Sequence, residues 1–372
     1  MPDPSPRGKL GKNPGPDLPA TQNPIASPTL SLQEAWNSTF LSGSAKSPSW
    51  EEVRSVRAYA SPREKARYLD LLEAYGTRGS EAVAYLKPVL NDPDQEIRRA
   101  AMRGLGRTET AKAEAILVSY AKDGVAIEES TEAALVLGQM ASPGVTGKLQ
   151  ELLRQSRDPV LREHLVDALA GRPWEQTQGF FSGHLRNPNV AAEEKQNALA
   201  MLGMRDTAPA EILTAALLDS AEEMRAGAYQ GLAWRSETSE SPKIRKSLAR
   251  EKDPGLRSLA YEAWGNQLDA SRSEILSAYR SETDEGVKLR ALKAWAQAYG
   301  RTRGTDSFIP QAVHSLEQVA MNDRDPGERR QALLALKALG REESRAALFR
   351  ISETNSLKRV RDLAKVMALP GY

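Results

Sequence analysis

A chain of 372 residues exceeds the size at which one compact core keeps growing, so it is expected to form either several domains or an elongated repeat array. With 40% hydrophobic and 27% charged residues it can bury a core, yet no run approaches the ~20 apolar residues of a membrane-spanning helix. The 51 basic and 49 acidic side chains leave a net charge of +2, which gives no general attraction to phosphate backbones or anionic lipid, and the lack of cysteine removes disulfides, thiol nucleophiles and thiolate metal sites.

In chain order, residues 1–48 read first as a flexible or extended Pro/Gly/Ser-rich arm, with eight prolines between Pro2 and Pro28 and too little apolar surface to fold. Its first residues have no apolar segment of signal-peptide type. Freedom from stray thiols leans towards an extracytoplasmic setting with the leader already removed, the cytoplasm being the alternative. Inside the arm, Ser31 and Glu34 make a capping box, and Leu32, Trp36, Phe40 and Leu41 share one face of a short amphipathic helix near 31–41. That helix either caps the first repeat or docks on a partner, with Trp36, Phe40 and Leu41 as its contact residues.

Residues 49–372 carry a recurring pattern, clearest in Asn91-Asp-Pro-Asp-Gln-Glu-Ile-Arg-Arg-Ala-Ala-Met-Arg-Gly-Leu-Gly106: an Asp suited to cap a helix, a Pro suited to its start and a Gly suited to its end. Equivalent starts fall at Ser61, Asp92, Asp123, Asp158, Asn187, Asp219, Asp253, Asp284, Asp325 and Asn355, at 29- to 41-residue intervals. Between them lie second apolar-periodic segments such as Ala113–Lys122 and Ala210–Asp219. A period in the low thirties, two helices per period and no alternating strand pattern predict an all-α solenoid of about ten two-helix repeats. The longest interval contains Gly300–Asp306, expected to be an inserted loop, and Gly171–His184 is expected to be an irregular stretch that bends the stack.

Five repeats place an Arg six residues after the expected cap: Arg67, Arg98, Arg225, Arg290 and Arg361. Six residues turn about 120° round a helix, so the Arg is expected to pair with a neighbouring repeat. The turn resembles that of HEAT repeats, in particular the short bacterial phycobilisome-lyase HEAT-like subset, which reads Asp-Pro-x-x-x-(Val/Ile)-Arg. The resemblance implies a right-handed α-solenoid and a structural Asp–Arg ladder between units, here through Asp92 with Arg98, Asp219 with Arg225 and Asp284 with Arg290. Arg162, Arg257 and Arg329 follow their Asp after four residues instead. Glu129 and Glu193 stand where Arg is expected, so the ladder should be broken or rearranged at those two repeats.

No catalytic or metal constellation is legible. His164, His184 and His314 are scattered without partners at metal-ligand spacing, and each reads as a surface or satisfied histidine. Acidic pairs such as Glu128-Glu129 and Glu222-Glu223 suit helix starts. Trp264 reads as core; Trp295 either protrudes or fills a local gap; Trp174 with Phe180 and Phe181 either forms an exposed patch or packs under the irregular stretch. The expectation is therefore a protein-binding scaffold without enzymatic activity, cofactor or metal. Its partner surface is expected on the curved face at Arg99, Arg103, Gln230, Glu262 and Trp295, with the arm as a second contact. Two alternatives stand beside it. One is a nucleic-acid binder, for which Lys358, Arg359 and Arg361 speak. The other, implied by the resemblance alone, is an enzyme like the phycobilin lyases.

Overall fold

The computed structural model describes residues 47–57, 61–124, 126–236, 238–302, 304, 306–323 and 325–369. The chain divides into Met1–Ala45 and Lys46–Tyr372, and the described helices all belong to the second unit. The expected amphipathic helix with Trp36, Phe40 and Leu41 lies outside the described residues. Near the start of the second unit, Ser47 Oγ pairs with Thr77 Oγ1 at 2.6 Å and Arg78 Nε donates to Pro48 O at 2.6 Å.

Among the described residues there are twenty α-helices and no strand. A short α1 (Trp50–Ser55) leads in. The even-numbered cap helices follow: α2 (Pro62–Tyr75), α4 (Gln95–Arg107), α6 (Ile127–Gln139), α8 (Pro159–Ala170), α10 (Ala192–Arg205), α12 (Glu222–Trp234), α14 (Pro254–Asn266), α16 (Glu285–Thr302), α18 (Pro326–Leu339) and α20 (Lys358–Ala368). Between them run the return helices α3 (Ser80–Val89), α5 (Ala111–Asp123), α7 (Gly144–Gln155), α9 (Trp174–Arg186), α11 (Ala210–Ala216), α13 (Ser241–Leu248), α15 (Arg272–Ser281), α17 (Ile309–Asn322) and α19 (Glu342–Thr354). Each cap helix packs on the next cap helix, and return helices such as α5 and α7 or α17 and α19 pack on one another in the same way. The result is a two-layer α-solenoid, as the repeat period requires.

The cap-helix layer is the more closely stacked, because small residues face one another across it. A Cβ on Gly203 of α10 would lie 2.2 Å from the Gly231 Cα of α12, a distance no side chain tolerates, so these two backbones touch only because both residues are glycine. Between the layers, Leu, Ala, Val and aromatic side chains form two hydrophobic clusters that meet around α10 and α11, where Leu185 and Ile212 pack on both. A buried Leu contributes about 1.5–3 kcal/mol, and most of these are shared between consecutive repeats, so no single hairpin carries its own core.

The turns explain the two Asp-to-Arg spacings. Ser61, Asp158, Asp253, Asp284 and Asp325 do accept backbone N–H groups of the first helical turn. Asp92, Asp219 and Asn355 do not cap: each accepts the N–H two residues on, at 3.0, 2.9 and 2.9 Å, and folds the turn so that the helix starts later. Counted from the true cap, Arg98, Arg162, Arg225, Arg257, Arg329 and Arg361 all occupy one position, four residues in. Each donates back to a carbonyl of its own turn, for example Arg98 to Asp92 O at 2.7 Å, Arg162 to Ser156 O at 2.9 Å and Arg361 to Asn355 O at 2.7 Å. At Ser61 the equivalent residue is Lys65, which pairs with Asp94 of the next repeat at 2.7 Å, while Arg67 is exposed.

Two expectations about irregular segments are corrected. Residues 174–186 form the regular helix α9, entered through Pro173, because the capping geometry of Pro outweighs the glycines that follow. Phe181 is buried in it, with Trp174 stacked on Phe181 at 6.4 Å. The longest interval is taken up mainly by the 18-residue helix α16, which runs through Gly300 to Thr302.

Candidate interaction surface

The repeats are joined along both ends of the cap helices, and these joints fix which side chains remain free. At the cap-helix starts, an Arg of one repeat reaches a glutamate of the next: Arg98 to Glu129 at 2.8 Å, Arg162 to Glu194 at 2.8 Å, Arg225 to Glu251 at 2.7 Å, Arg257 to Glu282 at 3.0 Å and Arg290 to Glu328 at 2.9 Å. The expected Asp–Arg ladder is thus an Arg–Glu ladder. The carboxylates of Asp92 and Asp219 are engaged in their own turns and that of Asp284 caps α16, so none receives the ladder guanidinium of the neighbouring cap helix, although Asp92 lies 3.7 Å from Arg57 just after α1. Glu129 accepts from Arg98, and among the described residues α6 itself sends no ladder donor on to α8, so the series breaks at this repeat as expected. Glu193, expected to do the same, is exposed, and the adjacent Glu194 takes the place.

Burial would raise the Glu194 carboxyl, but hydrogen bonds from His184 and Arg162, with their charges, hold it at about 2. His184, buried and stacked on Phe180, lies 3.2 Å from Glu194. Glu251 and Glu282 are likewise lowered: burial opposes ionisation, and the Arg225 and Arg257 guanidiniums together with turn N–H groups outweigh it.

At the opposite ends, donors at or just beyond the end of one cap helix reach the end of the preceding one. Arg172, buried, donates to Ser142 O at 2.9 Å and to Met140 O. Arg205 pairs with Asp167 at 2.8 Å, and Thr207 Oγ1 donates to Ala170 O at 2.6 Å. Arg235 donates to Leu202 O at 3.3 Å and to Ala208 O, Gln267 to Leu232 O at 3.1 Å, and Arg301 to Gln267 O at 2.9 Å. Burial depresses the guanidinium pKa values of Arg172, Arg235 and Arg301, yet the carbonyls of a helix end are a natural seat for positive charge.

Between these two edges lies the solvent-facing side of the cap helices, where the expected partner-binding residues fall unequally. Arg103 is half-buried and bridges Glu73 and Glu132, the latter at 2.8 Å, so its charge is spent inside the stack. Arg99 is half-buried beside it. Gln230 accepts from Gln196 at 3.3 Å and Glu262 pairs with Lys293 at 3.1 Å, again across repeats. Trp295 is fully buried, with Phe308 edge-on at 5.0 Å and Tyr299 stacked at 5.5 Å, so it fills the core and faces no partner. Trp264 is core, as expected.

A residue that sequence reasoning missed is Trp234, the last residue of α12, which is 66% exposed. It stands where Arg107, Gln139 and Asn266 end their helices, a position polar in those repeats, and that mismatch was its signal. Leu268 of the adjoining repeat is 58% exposed. Among the described residues no group of three or more His, Asp and Glu side chains could hold a metal ion, and no helix is long and apolar enough to cross a membrane.

Residues 83–170, from within α3 to the end of α8, match the family model of HEAT repeats. Comparison with the curated proteins gives no match. Among solved structures the chain is similar to human deoxyhypusine hydroxylase in complex with glycerol, at 17% identity, covering 77% of this chain and 94% of that one with a TM-score of 0.30. A superposition that loose carries nothing from that enzyme to this chain.

Proposed function

We propose, on the premise that this chain is a HEAT-repeat α-solenoid, that it is a non-enzymatic scaffold whose cap-helix layer holds a protein partner. HEAT repeats generally mediate protein interactions, and the layer supports that reading in one specific way. Most of its helices are tied to the next at one or both ends, and each leaves a short row of side chains facing solvent, so residues from successive repeats form one continuous surface. Glu96, Glu128 and Glu193, each two residues past its cap, are exposed members of that surface, as is Glu163.

The alternatives have less behind them. Nucleic acid needs a continuous run of unspent positive charge, whereas Arg361 is bound to the carbonyls of Asn355 and Ser356, and exposed cations such as Arg67, Arg330, Lys358 and Arg359 share the cap-helix layer with exposed glutamates. The lyase reading rests on the turn motif alone, and fold does not carry chemistry.

The test is affinity capture with the full chain, followed by titration of the purified partner. Reversal of Glu128, Glu163 and Glu193 to Lys should weaken binding roughly tenfold or more, as expected for an interface core. Reversal of Lys112 and Lys122 to Glu on the return layer should leave it unchanged. The opposite pattern moves the interface to the other layer.

A further inference from the structure

We infer that Trp234 and Leu268 form an apolar anchor for a Lys- or Arg-containing aliphatic segment of the protein partner, with Asp206 and Asp269 as its electrostatic flanks. The inference rests on the scaffold reading and assigns it a partner chemistry. Its first support is exposure on a rigid frame. A largely exposed indole and a largely exposed leucine stand at one joint between repeats, and none of the other apolar residues that end cap helices, Tyr75, Ala170, Leu339 and Ala368, is exposed. Both residues are nevertheless fixed: Asn266 Nδ2 donates to Ala233 O at 2.6 Å, and the Leu268 N–H donates to Thr238 O at 2.9 Å, tying the two repeats together at this point. An anchor held this way loses little conformational freedom when covered.

Its second support is the sign of the surrounding charge. Asp206 lies on one flank, 3.2 Å from the guanidinium of Arg235, the residue after Trp234, with its own side chain 78% exposed. Its backbone is left-handed, at φ 51, a conformation glycine would adopt with less strain, and Asp tolerates it. On the other flank Asp269, directly after Leu268, accepts the Ser241 N–H at 3.3 Å. Two cations stand at this joint: Arg235 is buried and committed to the carbonyls of Leu202 and Ala208, and Arg301, though exposed, is committed through Nη2 to those of Gly265 and Gln267. An exposed indole face also attracts cations directly. The exposed carboxylates of Asp206 and Asp269 beside the apolar pair match a basic segment with one aliphatic residue, while both guanidiniums are occupied by backbone carbonyls.

The probe is a fluorescein-labelled peptide of alternating Lys and Leu, read by anisotropy against the full chain, with Lys/Ser and Glu/Leu peptides as comparators. Saturable binding of Lys/Leu is expected, weaker for Lys/Ser and absent for Glu/Leu. Trp234→Ala should lose roughly tenfold or more. Asp206→Asn with Asp269→Asn should lose less and flatten the salt dependence. Trp234 is exposed, so its variant should keep the parent melting curve, and Trp234→Phe should restore part of the affinity. Equal binding by wild type and Trp234→Ala overturns the inference, as does a preference for Glu/Leu or no saturation by Lys/Leu at roughly millimolar peptide. If captured partner still binds Trp234→Ala unchanged, this anchor fails while the scaffold reading stands.

Discussion

Along the edge where cap helices begin, the joining guanidiniums remain partly in water: the side chains of Arg98, Arg225 and Arg257 are 19%, 17% and 18% exposed. Along the edge where they end, Arg172 and Arg235 are 3% and 6% exposed and Gln267 is fully buried. The first edge uses charge against charge, which ions in solution screen. The second, apart from the Arg205–Asp167 pair, uses charge or amide against backbone carbonyl, where removal of the donor strands a buried acceptor. Two edges of one solenoid thus tie the same repeats together with opposite sensitivities to solvent.

Mutations should separate the edges clearly. The largest effect is expected for Arg235→Met, which leaves the carbonyls of Leu202 and Ala208 without their donor: about 3 kcal/mol lost in urea unfolding, little altered by salt. Arg225→Met at the other edge strips the Glu251 carboxylate, whose side chain is only 4% exposed, of its partner; about 2 kcal/mol should be lost, and that difference should shrink at about 1 M salt because the guanidinium side of the pair is partly solvated. A reversed ranking, or equal salt sensitivity, erases the contrast between the edges.

The smallest effect concerns pH. The Glu194 carboxyl is held at about 2 in the folded chain against 4.5 for an unperturbed glutamate. A depressed carboxylate pKa stabilises the fold fully above the unfolded value, and that contribution fades as pH falls from 4.5 towards 2. Glu194→Gln should therefore be less stable than the parent at neutral pH and approach it through that acid window. Parallel stability curves between about pH 6 and about pH 2 remove Glu194 from the account.

The repeat period, the all-helical layers and the position of Trp264 were legible because each depends on local composition repeated about ten times. Partner choice in the ladder was not. Its acceptor sits inside the first helical turn at Glu129, Glu194 and Glu328, but before the cap at Glu251 and Glu282, and only the folded turn makes these places equivalent. The second edge had a readable signal that chemistry disguised: long donors recur at 172, 205, 235, 267 and 301, near the repeat period, but as Arg or Gln without a shared motif. Trp295 was misplaced on the partner surface because its alignment with small residues suggested protrusion. The longer α16 instead gives the ring a core site against Phe308. Trp234 escaped notice because exposure at a helix end is decided by the next repeat, which sequence spacing does not show.

The ladder at the cap-helix starts is discontinuous, and this has a mechanical consequence. At the position of Arg98, α6 has Ser130, which donates to Tyr120 O, and α10 has Lys195. Among the described residues no side-chain hydrogen bond or ion pair joins the start of α6 to that of α8, the start of α10 to that of α12, or the start of α18 to that of α20, where Arg329 and Arg361 bond only within their own turns; Arg172 and Arg235 bind the far ends of the first two pairs. A helix pair fastened at one end only pivots about that end. Pulled from its termini, this solenoid should yield first at these three joints, fanning open about the fastened end in the first two, so its elasticity is concentrated in three places and need not be shared evenly along its length.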